Sequence, residues 1–469
     1  MTSMPEATTG CLIQFDKGTL VFEGLADEVA KACEWIKWDE RSLNYRAAAF
    51  HYRDILLAFR DQNLPYQDKA RGYGVCEDAV LSNTLTLRSH QRDAFVAWRN
   101  NQYIGTVCLP TGAGKTILAV YAIQHLKRDT LVVVPTIDLL QQWESVLKKN
   151  LPCEIGVLGG GSRTILPITV ATYDSAMLHC AQIGNRFGLV VFDECHHLPA
   201  PQYQNVARAL ISPFRLGLSA TIERADGKES LIYELVGKLV FEGQIDQMDK
   251  NVLAPYDVVN IQVELTDQEK VAYEQNRKIY VSFIRRSGIQ FNRPDGWQEF
   301  IRKSSWSPEG RQAFQAYLEQ KRLAQGAEGK LKALWDILLK HREDSMIIFT
   351  NDNAFAYRIG KEFVLPVLTH NTRPAERKKF LESFREGVIR VLVTSKVLNE
   401  GVDVPEASIG VVVSGSGGVR EHVQRLGRIL RHKPNKRAVL YELVAKDTSE
   451  LNVNRRRRRH HAYESANSL

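Results

Sequence analysis

Eight consecutive residues, Leu109-Pro110-Thr111-Gly112-Ala113-Gly114-Lys115-Thr116, stand between an apolar run and an amphipathic stretch. Glycines there let backbone N–H groups converge on phosphate oxygens, Lys115 reaches β- and γ-phosphates, and Thr116 can ligate Mg²⁺. Leu109 stands where the strict pattern has Gly, so the motif is met in part. A second apolar run ends in Asp193-Glu194-Cys195-His196. Asp193 there is placed as a metal-holding carboxylate and Glu194 as the group that polarises an attacking water. Cys195, His196 and His197 are adjacent and cannot all converge on one ion, so a coupling role suits His196 better than metal ligation. A third set, Gln424, Arg428 and Arg431, falls at helical i, i+4, i+7 spacing. Arginines on such a face stabilise charge developing on a transferring γ-phosphate.

These groups need rigid elements behind them. Short apolar runs at 106–109, 131–134, 168–170, 189–192 and 216–218 read as buried parallel strands, separated by amphipathic stretches such as 117–126 and 137–147. Residues from about 85 to 245 therefore read as an open α/β sheet with ligand groups at its strand ends. Runs at 346–349, 391–394, 410–413 and 439–444, alternating with helical stretches near 352–363, 373–386 and 418–430, predict a second such domain from about 327 to 446. Two tandem sheets imply a cleft between them. Residues 1–80 read as a small separate α+β domain, with β-like runs at 11–15 and 19–22 and an aromatic helical segment over 45–59. The overall class is α/β.

At 469 residues the chain holds several domains, and 44% hydrophobic with 25% charged residues fits a globular protein. No apolar run reaches the roughly 18 residues of a membrane span and no signal peptide opens the chain, so a soluble cytoplasmic protein is expected. Seven cysteines, never spaced C-x-x-C, read as reduced thiols. Charge is uneven: residues 1–80 carry 9 Lys/Arg against 13 Asp/Glu, while the whole chain is +8. A basic body points to a polyanionic partner. Residues 266–330 carry 12 Lys/Arg against 8 Asp/Glu, among many aromatics.

The ordered set resembles the core of a superfamily 2 helicase or translocase, two RecA-like domains that hydrolyse ATP while moving on nucleic acid. Arg88-Ser89-His90-Gln91 resembles the adenine-reading Q motif, 110–116 motif I, the stretch from Pro135 to Trp143 motif Ia, and Asp193 to His196 motif II. Ser219-Ala220-Thr221 resembles motif III, Thr350-Asn351 motif IV, 393–405 motif V and 424–431 motif VI. The resemblance implies that Arg88 and Gln91 serve the adenine, that Gly401 and Asp403 sit near the γ-phosphate and ribose, and that Ser219 and Thr221 couple hydrolysis to movement. Within the superfamily the chain resembles the XPB family of DNA repair and transcription helicases in its compact archaeal or bacterial form. The family's Arg-Glu-Asp motif falls on Arg224, Ala225 and Asp226, with Ala225 replacing the central Glu. The segment 246–326 then stands where that family carries a thumb, after domain 1 (81–245) and before domain 2 (327–446).

The resemblance implies duplex, forked or damaged DNA as partner, and a nuclease or repair protein as a further one. Arg285, Arg286, Arg302 and Lys303, with Arg293, suit phosphate contacts, while Trp297 or Phe300 suits a wedge against a base; the aromatics suit the core of a helical insertion equally well. The small N-terminal domain resembles a damage-sensing module, although its acidic balance fits a scaffold too. Residues 447–469 form a basic tail with arginines at 455–459. A monomeric ATP- and Mg²⁺-dependent DNA motor is expected, with an RNA helicase or a non-enzymatic scaffold as alternatives.

Overall fold

The computed structural model describes residues 10–77, 79, 85–110, 112–220, 222, 227, 229–243, 256–291, 293, 295–395, 407–414 and 438–451. Thr111, Thr221, Arg224, Asp226, Gly401, Asp403, Gln424, Arg428, Arg431 and the arginines at 455–459 lie outside the described residues. The chain divides into two compact units, Met1–Gly243 and Gln244–Leu469.

The first unit opens with β1 (Cys11–Asp16), β2 (Thr19–Glu23), α1 (Asp27–Ala32), β3 (Lys37–Asp39), β4 (Asn44–Ala48), α2 (Tyr52–Asp61) and β5 (Tyr66–Asp68), in a sheet of order β3-β4-β2-β1-β5. The helix expected over 45–59 is therefore strand for its first part. Tyr45 and Ala47 pack on the small core, whereas Arg46 between them bonds Asp16 at 2.6 Å, the two-residue period of a strand.

Then follow α3 (Ser89–Asn100), β6 (Ile104–Cys108), α4 (Lys115–Leu126), β7 (Thr130–Val134), α5 (Ile137–Asn150), β8 (Gly156–Gly159), β9 (Ser162–Thr164), β10 (Ile168–Thr172), α6 (Tyr173–Ile183), β11 (Leu189–Asp193), α7 (Pro201–Arg208), β12 (Phe214–Ser219), α8 (Glu229–Leu235) and β13 (Leu239–Glu242). The sheet runs β13-β6-β12-β11-β7-β10-β8-β9, parallel except for β9. Strands β7, β10 and β11 are buried at every position, as continuous apolar runs covered on both faces must be. Thr136 and Thr172 start α5 and α6 by accepting the backbone N–H of Leu139 and Ser175.

The N-terminal sheet is fastened to this one. Arg53 donates to the carbonyls of Gln102 and Pro213 at 2.8 and 3.0 Å, and Asn185 exchanges bonds with Ala70 and Gly72. Gly18, at φ +88°, sits where a Cβ would come within 2.8 Å of the Ala209 Cβ, so only glycine allows this approach. Beside the seam, Arg215 of β12 is buried and donates to four carbonyls, of Ala207, Leu210, Ser212 and Leu235, with its guanidinium 5.9 Å from the Phe50 ring. Burial lowers its pKa to about 10.

The second unit contains β14 (Tyr256–Val263), α9 (Asp267–Arg286), α10 (Gly296–Ser305), α11 (Pro308–Gln325), α12 (Glu328–Lys340), β15 (Met346–Phe349), α13 (Asn353–Glu362), β16 (Val367–Leu368), α14 (Pro374–Arg385), β17 (Val391–Thr394), β18 (Ile409–Val412) and β19 (Ala438–Ala445). Its sheet is parallel throughout, β14-β19-β18-β15-β17-β16. Residues 256–263, expected in the linker, thus form an edge strand paired with β19 over its whole length. Asn260 and Gln262 interrupt the apolar run there, which is why it does not read as a buried strand. Lys330 on α12 is fully buried and pairs with Glu450 at 2.7 Å.

Helices α9 to α11 make the insertion. Phe283, Ile289, Phe300 and Ala313 are its core, with Tyr280, Ile284, Phe314 and Tyr317 around them. Phe300 is fully buried, so the base-wedge expectation is corrected for it: its ring is surrounded by Phe283, Phe291, Phe314 and Tyr317. Trp297 lies at the rim of the same cluster, its ring 5.2 Å from Tyr317. Lys303 is committed within the helices, donating to Ser287 O at 2.8 Å and pairing with Glu299 at 2.6 Å. Arg285, Arg286, Arg293 and Arg302 are exposed.

Candidate nucleotide site

The order of strands in the first large sheet builds the site. Strand β12 lies between β6 and β11, so the C-terminal ends of three neighbours carry the loop 109–116, Ser219 and Asp193. Parallel strands spaced about 4.8 Å apart bring these groups within one side chain's reach of each other. Leu109 N donates to Ser219 O at 2.9 Å and Cys108 Sγ to Ala220 O at 3.3 Å, fixing the loop's base to the end of β12.

The loop turns through Gly112 at φ +84° and Gly114 at φ +83°. Buried Ala113 donates its N–H to Pro110 O, and Gly114 begins α4, which puts Lys115 and Thr116 in the helix's first turn. Lys115 Nζ donates to Leu109 O at 3.1 Å. Helix α3 braces the loop from outside: His90 Nε2 donates to Ala113 O at 2.9 Å, and Gln91 Nε2 donates to the Ala113 and Gly114 carbonyls, both at 3.1 Å. Gln91 Oε1 accepts the Arg88 N–H at 2.9 Å. The Gln91 amide is thus committed to the loop and the helix start, with one oxygen lone pair to spare. Trp98, whose Nε1 donates to Arg215 O, anchors the far end of α3.

At the tip of β11, Asp193 is buried with each carboxylate oxygen bonded, one by Trp143 Nε1 at 2.7 Å and one by Glu194 N at 3.0 Å. Glu194 sits at φ +47°, a left-handed conformation that costs a non-glycine residue about 1 kcal/mol or more. Its Oε2 lies 3.4 Å from His196 Nδ1, which is 3.0 Å from Ser219 Oγ. Lys115, Asp193, Glu194, His196 and Ser219 therefore meet in one place. Trp143, Tyr173, whose hydroxyl donates to Asp193 O, and His90 join them without having been assigned roles from the sequence.

Burial, and next the Glu194 charge, push Asp193 up to about 6, against the pull of Lys115 and the Trp143 hydrogen bond. A buried acid only partly compensated by protein groups suits a divalent cation, and Asp193 and Thr116 are the residues that could hold it. The same shift has a stability consequence. An acid with a raised folded-state pKa stabilises the fold below its unfolded value near 4, and that contribution is lost as pH rises through about 6. Asp193→Asn, which cannot ionise, should gain on the parent by on the order of 2 kcal/mol between pH 4 and pH 7.5. Urea unfolding at both pH values measures this, and an unchanged difference between the two proteins would contradict it.

Residues 13–70 match the xeroderma pigmentosum group B helicase damage recognition domain, 84–224 the type III restriction enzyme res subunit, and 306–463 the ERCC3/RAD25/XPB C-terminal helicase. The DNA 3'-5' translocase XPB2 of Sulfurisphaera tokodaii is 38% identical over 90% of this chain and 95% of its own length. The DNA 3'-5' helicase XPB of Mycobacterium tuberculosis is 32% identical over 77% of this chain, which spans 61% of that relative. Among solved structures, the Pyrococcus furiosus Hef helicase domain superposes with a TM-score of 0.50 at 18% identity, over 78% of this chain and 97% of that one, a likeness of fold. With a nucleotide-type loop braced by α3 and a relative matched nearly end to end, the chain belongs to the XPB family.

Proposed function

We propose that this protein is an ATP-dependent DNA translocase and helicase that moves 3'-5', the polarity named for its relatives. The observation that carries the reading is the meeting of Lys115, after β6, with Asp193 and Glu194, at the end of β11, on either side of β12 and beside the glycine loop. Lys115 and the loop's N–H groups hold the β- and γ-phosphates. Glu194, held by its own backbone next to His196, orients the attacking water and accepts its proton. Asp193 and Thr116 would hold Mg²⁺, which would supply neutralisation of the phosphate charge. Arg428 and Arg431, with Gln424, complete the charge stabilisation, Gln91 reads the adenine with Arg88 beside it, and Gly401 and Asp403 serve the phosphate and ribose.

The His196–Ser219 contact, together with Thr221, reports the state of the site to the DNA-binding surface. Phosphate contacts fall to Arg285, Arg286 and Arg302, and strand opening involves Arg224 and Asp226. The protein acts as a monomer at the nucleoid in repair or transcription, with any strand cleavage given to a nuclease partner. Among the described residues no helix is long and apolar enough to cross a membrane.

ATPase rate against single-stranded, duplex and forked DNA and RNA, at two salt concentrations, tests this reading. DNA should stimulate turnover, most strongly with a fork, and less at high salt because phosphate contacts release counterions. Stimulation by RNA above DNA would overturn the substrate, and turnover indifferent to every polymer would overturn the motor.

A further inference from the structure

Trp306 has 80% of its surface exposed, the highest among the chain's seven tryptophans. An indole left in water forgoes about 2 kcal/mol of burial, and neither neighbouring helix requires an aromatic at this corner. The corner itself is built tightly. Ser307 Oγ accepts the Gly310 N–H at 2.9 Å to start α11, and a Cβ on Gly310 would come within 2.7 Å of Ser304 O. Trp306 closes the end of α10, so Arg302 lies one turn behind it on the same face. Arg311 Nη1 donates to Ser305 O at 3.4 Å, which brings a second guanidinium to the end of α10. Unlike Lys303 beside it, Arg302 is exposed.

We propose that Trp306 is a stacking platform for an unpaired DNA base, with Arg302 and Arg311 on the flanking phosphates. An exposed indole face bracketed by guanidiniums has the chemistry that binds single strands without reading sequence: every base offers a π-face, and the cations follow the backbone. Trp297, packed into the Phe291, Phe300 and Tyr317 cluster, is a structural residue of the insertion. The platform sits on the insertion, at the corner between α10 and α11. This inference rests on the DNA reading above.

The test uses the full chain and forked DNA carrying 2-aminopurine as its first unpaired base. The parent protein should quench the probe. Trp306→Ala should lose most of that quenching and bind the fork about tenfold more weakly, the weakening being absent on blunt duplex of equal length. Trp306→Phe, which keeps a ring, should recover most of both. Unchanged quenching and fork affinity in Trp306→Ala would overturn the platform, as would equal weakening on fork and duplex. A parent that binds no DNA would overturn the DNA reading, and this inference with it.

Discussion

Replacing Lys115 with alanine should abolish ATP hydrolysis, lowering kcat by on the order of 10²–10³-fold or more, with DNA affinity retained. On the proposed reading the ammonium follows charge onto the γ-phosphate, and its bond to Leu109 O keeps it inside the loop's curve. It also pulls the Asp193 pKa down against burial and Glu194, so the variant loses part of what keeps that carboxylate ionised. Steady-state ATPase with and without forked DNA, beside DNA binding at the same salt, measures the effect. Near-normal turnover would refute the site, and a raised KM with kcat unchanged would show that Lys115 acts in ground-state binding alone.

Arg215→Ala should destabilise the first unit by about 3–5 kcal/mol. The guanidinium satisfies carbonyls at the ends of α7 and α8, together with those of Leu210 and Ser212, and truncation leaves them facing a cavity. Arg215→Lys keeps the charge but offers one nitrogen to four carbonyls, so it should recover only part of the loss. Chemical unfolding followed by far-UV circular dichroism measures both variants. A midpoint for Arg215→Ala within experimental error of the parent would refute the argument.

How much of this was legible in the sequence depended on the kind of signal. Strands β6, β7, β10, β11 and β12 announce themselves because strands buried on both faces carry short, nearly continuous apolar runs, and the residues at several of their ends form contiguous motifs. Edge strands obey a weaker rule. Strand β14 tolerates Asn260 and Gln262, and β13 spans only Leu239–Glu242, so neither stands out from a linker. Partners distant in the chain are illegible for a different reason. Nothing in the sequence ties Trp143 to Asp193 fifty residues away, or marks Arg215 as buried, because a buried charge is specified by carbonyls that every residue possesses. The insertion's aromatics were ambiguous because helical spacing of large rings suits a core and a binding face alike; only burial separates Phe300 from Trp306.

The fastening of the N-terminal sheet has a mechanical consequence. Arg53 grips Pro213 O, one residue before β12, and β12 ends at Ser219 beside His196. Hydrogen-bonded to a neighbour along each edge, β12 is held straight over its six residues. A single continuous strand thus joins the fastening point of the N-terminal sheet to the side chains around Glu194.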